Sequence, residues 1–154
     1  KTFDVMSHSF IYWTQALLDR GLLAPGARLL ALTNPLDESL LTDCGLITAS
    51  KAALEVYVKA LAIELGPQGI RVNMLKFPTV LTPAVEQVYG ARLGDVVASH
   101  SRMHPAGRMC TVDEVARVVC WLAGPDAEWF NGATIDYSGA MMSSLANIVL
   151  GGES

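Results

Sequence analysis

Few side chains in this 154-residue sequence stand at spacings that do chemistry unaided. His100 and His104 are four apart, which puts two imidazoles on one helical face, but no third ligand follows locally, so they read as loop or surface residues rather than a metal site. Cys44, Cys110 and Cys120 form no C-x-x-C pair and are odd in number. They read as small buried hydrophobes of a reducing compartment, with the cytoplasm as the default location. Asp113 and Glu114 follow Thr111 at capping-box spacing, so helix capping explains these carboxylates better than acid–base work. No G-x-G-x-x-G is present, and Gly66 and Gly69 flank a turn that follows a helix, the wrong context for cradling a phosphate.

The elements that must position such residues follow from apolar periodicity. Phe3, Met6, Phe10, Trp13 and Leu17 recur at helical steps, which predicts a helix over 3–18 with a stop at Asp19-Arg20-Gly21. Ala27–Leu32 and Ile70–Leu75 are short apolar runs bounded by turn residues, and Ala133–Tyr137 is a third strand. Pro35–Gly45 reads as a loop, Thr48–Leu65 as a helix ended by Gly66-Pro67, and 82–101 as a helix interrupted at Gly90 and Gly94. A capped helix runs from Thr111 to about Ala123, and the tail from Ser138 to Ser154 carries no clear pattern. Strands alternating with helices predict an α/β fold, a Rossmann-like parallel sheet with flanking helices. Three apolar strands alone leave a raw sheet edge, so the expectation is that upstream residues or another chain complete the sheet.

Composition narrows the function classes. Hydrophobic residues make up 51% and charged residues 17% of the chain, which excludes a disordered segment. Eleven basic against fifteen acidic residues, a net charge of −4, leave no electrostatic footprint for nucleic acid. Mean hydropathy is high at +0.35, yet no apolar run approaches the roughly 20 residues that span a bilayer, so no membrane segment is expected. The excess apolar surface must then meet a core, an absent segment or another subunit. The helix 51–65 is apolar around most of its circumference apart from Lys51, Glu55, Lys59 and Glu64, and Phe10, Ile11, Tyr12 and Trp13 make the first helix similar.

The segment TASKAALEVYVKALAIELGPQGIRVNMLKFPTVLT, residues 48–82, resembles the short-chain dehydrogenase/reductase family. The matching pieces are Ser50-Lys51-Ala52-Ala53-Leu54, Glu64-Leu65-Gly66, Gly69-Ile70-Arg71-Val72-Asn73 and Thr82 nine residues after Asn73. Pro105-Ala106-Gly107-Arg108, Glu114-Val115-Ala116, Trp121-Leu122, Gly132-Ala133-Thr134-Ile135 and Gly139 continue the pattern. Phe3-Asp4-Val5 with Ser7-His8-Ser9-Phe10 brings the chain nearest the enoyl-acyl-carrier-protein reductase branch. The likeness implies that residues 1–154 are the C-terminal half of a Rossmann-type reductase domain, the half without the glycine-rich cofactor loop.

The resemblance also implies a set of roles. Lys51 occupies the place of the lysine that holds the nicotinamide ribose and lowers the pKa of a catalytic tyrosine; an ammonium suits both tasks. On residue type alone it would be a solvated helix lysine. The tyrosine is substituted: the common spacing falls on Ile47, the enoyl-reductase spacing on Cys44, the branch's additional tyrosine on Asn34, and the serine position on Thr33. The family's helix asparagine falls on Val5. Tyr57 turns away from Lys51, and Tyr12, Tyr89 and Tyr137 have no supporting spacing.

The loop 77–82 matches the nicotinamide-packing segment, with Pro78, Thr79 and Val80 at the carboxamide and Thr82 within reach of the pyrophosphate; with Lys51 and Thr33 these complete the implied cofactor-binding set. The family's Pro-Gly pair is altered here to Phe77-Pro78-Thr79, which puts extra side-chain bulk at a position of close approach to the cofactor. Val85, Val88, Tyr89, Leu93, Val96 and Val97 beyond it suit an acyl chain and equally an ordinary core face. The implied activity is hydride transfer from NAD(H) or NADP(H) to an enoyl thioester in fatty acid biosynthesis. The implied assembly is a homodimer or homotetramer with isologous helix contacts. A non-catalytic oligomerisation or scaffold module is the alternative reading.

Overall fold

Alternation of inward-facing residues along each strand decides how the layers stack. The computed structural model describes residues 1–35 and 42–144; most of the predicted loop 35–45 and the end of the tail, residues 145–154, lie outside the described residues. A π-helical turn, Asp4–His8, leads into α1, Ser9–Asp19. Strand β1, Arg28–Thr33, is followed by α2, Gly45–Leu65, and β2, Arg71–Lys76. Then come α3, Pro83–Tyr89, α4, Leu93–Met103, α5, Val112–Ala123, and β3, Thr134–Asp136. The strands form one parallel sheet in the order β1-β2-β3, in register Arg28↔Arg71 through Thr33↔Lys76 and Met74↔Thr134 through Lys76↔Asp136.

The period-2 pattern of β2 sends Val72 and Met74 toward α2, where they join Ala31, Leu54, Val58, Leu61, Ala62 and Leu65 in one buried cluster. Leu75 points the other way, into a second cluster with Val115, Leu122 and Ala127 beneath α5. Asn73 is buried and stitches β2 to the approach of β3: its amide donates to the Phe130 carbonyl at 2.7 Å and its oxygen accepts from the Ala133 N–H at 3.0 Å. Asn131 does the same one layer out, accepting from the Val72 N–H at 3.0 Å and donating to the Ala62 carbonyl at 3.0 Å.

Several boundaries differ from the sequence expectation for identifiable reasons. Ser7 and Ser9 donate to the carbonyls of Phe3 and Val5, four residues back, within and beside the wide π turn that opens the first helix. Helix α2 starts three residues early, its first turn closed by the Thr48 N–H on the Cys44 carbonyl. The predicted 82–101 helix is two helices, because Gly90 takes φ +49 and a 3₁₀ turn over 90–92 restarts the chain as α4. Gly94 sits without disturbance in the first turn of α4. Strands β1 and β2 each end one residue later than expected, since polar Thr33 and Lys76 are buried ladder partners.

The capping box of α5 is as expected: the Glu114 N–H donates to Thr111 Oγ1 at 3.2 Å, and the Thr111 N–H to the Glu114 carboxylate at 2.9 Å. Among the described residues, no helix is long and apolar enough to cross a membrane.

Candidate active site

The C-terminal ends of β1 and β2, Lys51 in the second turn of α2, and α3 border a cleft of about 490 Å³, within the size range of small-molecule sites. Its position follows from the parallel sheet, whose strands all release their connections at this end. Lys51 and Thr33 form one wall: Lys51 Nζ donates to Thr33 Oγ1 at 3.1 Å, and the two residues are 7% and 6% exposed. Lys51 is therefore not a solvated helix lysine. Asn34 lines the cleft beside Thr33. Pro78, Thr79, Val80 and Thr82 form the opposite wall, and α3 roofs it with Val85, Val88 and Tyr89.

The predicted site residues thus converge, with one exception. Cys44 is the residue preceding α2, half-buried, and does not border the cleft. Ile47 does not border it either. Phe77 packs against the core beneath α5 and also lines the cleft, while Pro78 is fully buried. Thr82 Oγ1 accepts from the Val85 N–H at 3.3 Å, capping α3 and leaving its own hydroxyl proton to donate. Of the apolar lid residues, Val85, Val88 and Tyr89 face the cleft, and Val88 is 77% exposed, so the α3 part is no core face.

Tyr89, which read equally as acyl-chain lining and as core face, is brought to the cleft by the fold. One residue escaped the sequence argument. Lys76, one residue from the loop, is 6% exposed with Nζ 4.0 Å from Glu55 Oε2, and the other Glu55 oxygen accepts from Lys59 at 2.7 Å. The Lys59 hydrogen bond, with Lys76 adding to it, holds the Glu55 carboxyl below its ordinary range against the opposing effect of burial. A lysine ending an apolar run reads as a solvated boundary, which is why Lys76 gave no signal.

A second cleft, about 370 Å³, lies on the far side of Pro78, between His104, Arg108, Glu114 and the turn after β3. His104 is not a surface residue: it is 6% exposed, packed on Gly139, where a Cβ would come within 3.3 Å of its ring. Burial, aided by nearby His100, pushes its pKa down. Arg108 clamps Glu114 with two hydrogen bonds, at 2.9 and 2.7 Å, and these hold the Glu114 carboxyl far below the usual carboxylate range. The cysteines also depart from the buried expectation: Cys44 and Cys110 are half-buried and Cys120 is exposed. No group of three His, Cys, Asp or Glu residues that could hold a metal occurs among the described residues.

The fold is that of a Rossmann-like α/β protein, with a cleft at the carboxyl edge of the sheet. The sequence profile of the enoyl-(acyl carrier protein) reductase family matches residues 1–141, and the chain belongs to that branch of the short-chain dehydrogenases/reductases. It is 31% identical over 138 residues to an NADPH-dependent aldehyde reductase-like chloroplastic protein of Arabidopsis thaliana, covering 90% of this chain and 50% of that protein. It is 26% identical over 144 residues to the NADH enoyl-[acyl-carrier-protein] reductase of Escherichia coli K12, covering 94% and 53%. The angucycline C-6 ketoreductase LanV with bound NADP superposes with a TM-score of 0.80 at 25% identity, over 92% of this chain and 52% of that one. The chain spans about half the length of these relatives.

Proposed function

We propose that the full-length protein is a nicotinamide-dependent reductase of enoyl thioesters, with residues 1–154 forming the C-terminal half of its Rossmann-type domain. The observation that carries this reading is the buried Lys51–Thr33 contact on one wall of the cleft, facing the Pro78–Thr82 loop on the other. The volume and lining suit the nicotinamide riboside end of NAD or NADP. A bound nicotinamide supplies the hydride. Lys51 holds the ribose hydroxyls through a charge-assisted contact. The backbone at Pro78, Thr79 and Val80 orients the carboxamide, and the free Thr82 hydroxyl proton reaches toward the pyrophosphate. The apolar roof formed by Val85, Val88 and Tyr89 accommodates the acyl chain.

The outer faces of α1 and α2 present Tyr12, Trp13, Val56 and Ile63, 55–78% exposed. That apolar surface supports a homodimer or homotetramer packed through these helices.

Fluorescence titration of the native full-length product with NADH and NADPH tests the reading. Binding of at least one nucleotide is expected, and Lys51→Ala should weaken it about 10- to 100-fold, the range for losing a hydrogen bond to a charged group. Failure to bind either nucleotide overturns it. A scaffold module without catalysis is the second reading, favoured by Ile47 and Cys44 standing where a phenol is needed and by neither lining the cleft. Nucleotide binding without enoyl-thioester turnover would establish it.

A further inference from the structure

Reduction of a conjugated thioester needs a proton as well as a hydride, and none of the three positions that would carry a phenol, Asn34, Cys44 and Ile47, does so. The Lys51–Thr33 pair has the polarity of a proton donor. Lys51 Nζ donates to Thr33 Oγ1 at 3.1 Å, so that oxygen is engaged as an acceptor and its hydroxyl proton points elsewhere. Among the described residues, the Asn34 carbonyl is the acceptor it reaches, 3.5 Å away, at the limit of a hydrogen bond. Thr33 lines the cleft under α3, so its hydroxyl proton is available to a ligand oxygen placed there. Lys51 and Thr33 also border a separate cleft of about 370 Å³ on the α1 side, lined by Val5, Ser9 and Trp13. Water entering there can return a proton to Lys51 without crossing the substrate.

Resting on the nicotinamide reading above, the geometry points to Thr33 as the proton donor of the reduction, with Lys51 behind it as the proton source. Hydride adds to C3 of the enoyl thioester, the C2–C3 π pair moves to C1–C2 and the carbonyl pair to oxygen. That oxygen takes the Thr33 proton while Thr33 takes one from Lys51. The enol then tautomerises, releasing its O–H proton to solvent and gaining one at C2. Water on the α1 side reprotonates Lys51. The net addition is one hydride and one proton.

The test compares Thr33→Val, which keeps shape and removes the hydroxyl, with Thr33→Ser, which keeps the hydroxyl, both in the native full-length protein. Thr33→Val should lower kcat about 100-fold, the scale of one general acid. The loss should appear in kcat at saturating nucleotide, over and above any change in nucleotide affinity that follows from removing the Lys51 contact. Thr33→Ser should restore most of the rate. In the nucleotide-free protein, exchange of the Lys51 ammonium protons, followed by ¹⁵N-lysine NMR, should quicken in Thr33→Val and not in Thr33→Ser. Turnover retained in Thr33→Val, or lost in Tyr89→Phe while Thr33→Val stays active, overturns the assignment and leaves the nucleotide reading intact. Absence of nucleotide binding in the unsubstituted protein removes both.

Discussion

The two ends of the same sheet handle charge in opposite ways. At the amino ends of the strands, Arg28 and Arg71 both pair with Glu128, whose side chain is 52% exposed to solvent. At the carboxyl ends, Lys51 and Lys76 are nearly buried, against the Thr33 hydroxyl and the Glu55 carboxylate respectively. A surface pair of the first kind contributes little and weakens in salt. A buried ammonium carries a desolvation cost that geometry must offset, and folded proteins tolerate it where the charge has work to do. The contrast separates a clamp from a site without reference to any motif.

Four substitutions and titrations sharpen that contrast, in descending order of expected effect. Lys51→Met should weaken NADH or NADPH binding about 10- to 100-fold in a fluorescence titration, with the far-UV circular dichroism spectrum unchanged. Asn73→Ala strikes the framework between the two ends: it leaves the Phe130 carbonyl and the Ala133 N–H without their partner, and should cost about 2–4 kcal/mol in urea unfolding. An unchanged midpoint would show that water replaces the amide.

The third test is a pH series. The folded pKa of His104 lies below its unfolded value near 6.5. The unfolded chain therefore binds the proton more readily, and the stability from neutral His104 is present above about pH 6.5 and is lost as pH falls below it. Thermal unfolding followed between about pH 7.5 and 5.5 should show a falling Tm in the unsubstituted protein and a flatter profile in His104→Gln. Last, Glu128→Gln at the opposite end should lower Tm slightly, more at low salt than at high salt, and leave nucleotide affinity where it was. A large loss of affinity in that variant would break the distinction between clamp and site.

Much of this arrangement was legible in the sequence where local rules govern. Thr111 and Glu114 fix the start of α5 through hydrogen bonds between residues three apart, so spacing suffices to place the cap. Lys51 and Thr82 were found because the segment between them resembles a known pattern, and the fold brings both to one cleft. What stayed hidden depends on tertiary contact. Val85, Val88 and Tyr89 read equally as acyl-chain lining and as core face, and only the folding of α3 over the strand ends decides between the two. His104 is buried because Gly139, thirty-five positions along the chain, has no side chain to keep it out. Lys76 looked like the end of a strand, and the carboxylate that accompanies it inside lies on α2, twenty-one positions earlier.

The break at Gly90 has a consequence for how this fold can be altered. Helix α3 opens on a Thr82 cap with Pro83 in its first turn and closes on a glycine with positive φ, after which a fresh turn starts α4. The seven residues between are a bounded cassette: helical register is not carried across Gly90, so exchanging or lengthening that stretch leaves α4 and the sheet in place. Among the described residues, none of the seven is buried, so exchange disturbs no packed core. In engineering terms the roof of the cleft is a replaceable part mounted on a fixed floor, and libraries confined to positions 84–89 would vary what enters while Lys51 and Thr33 stay where they are.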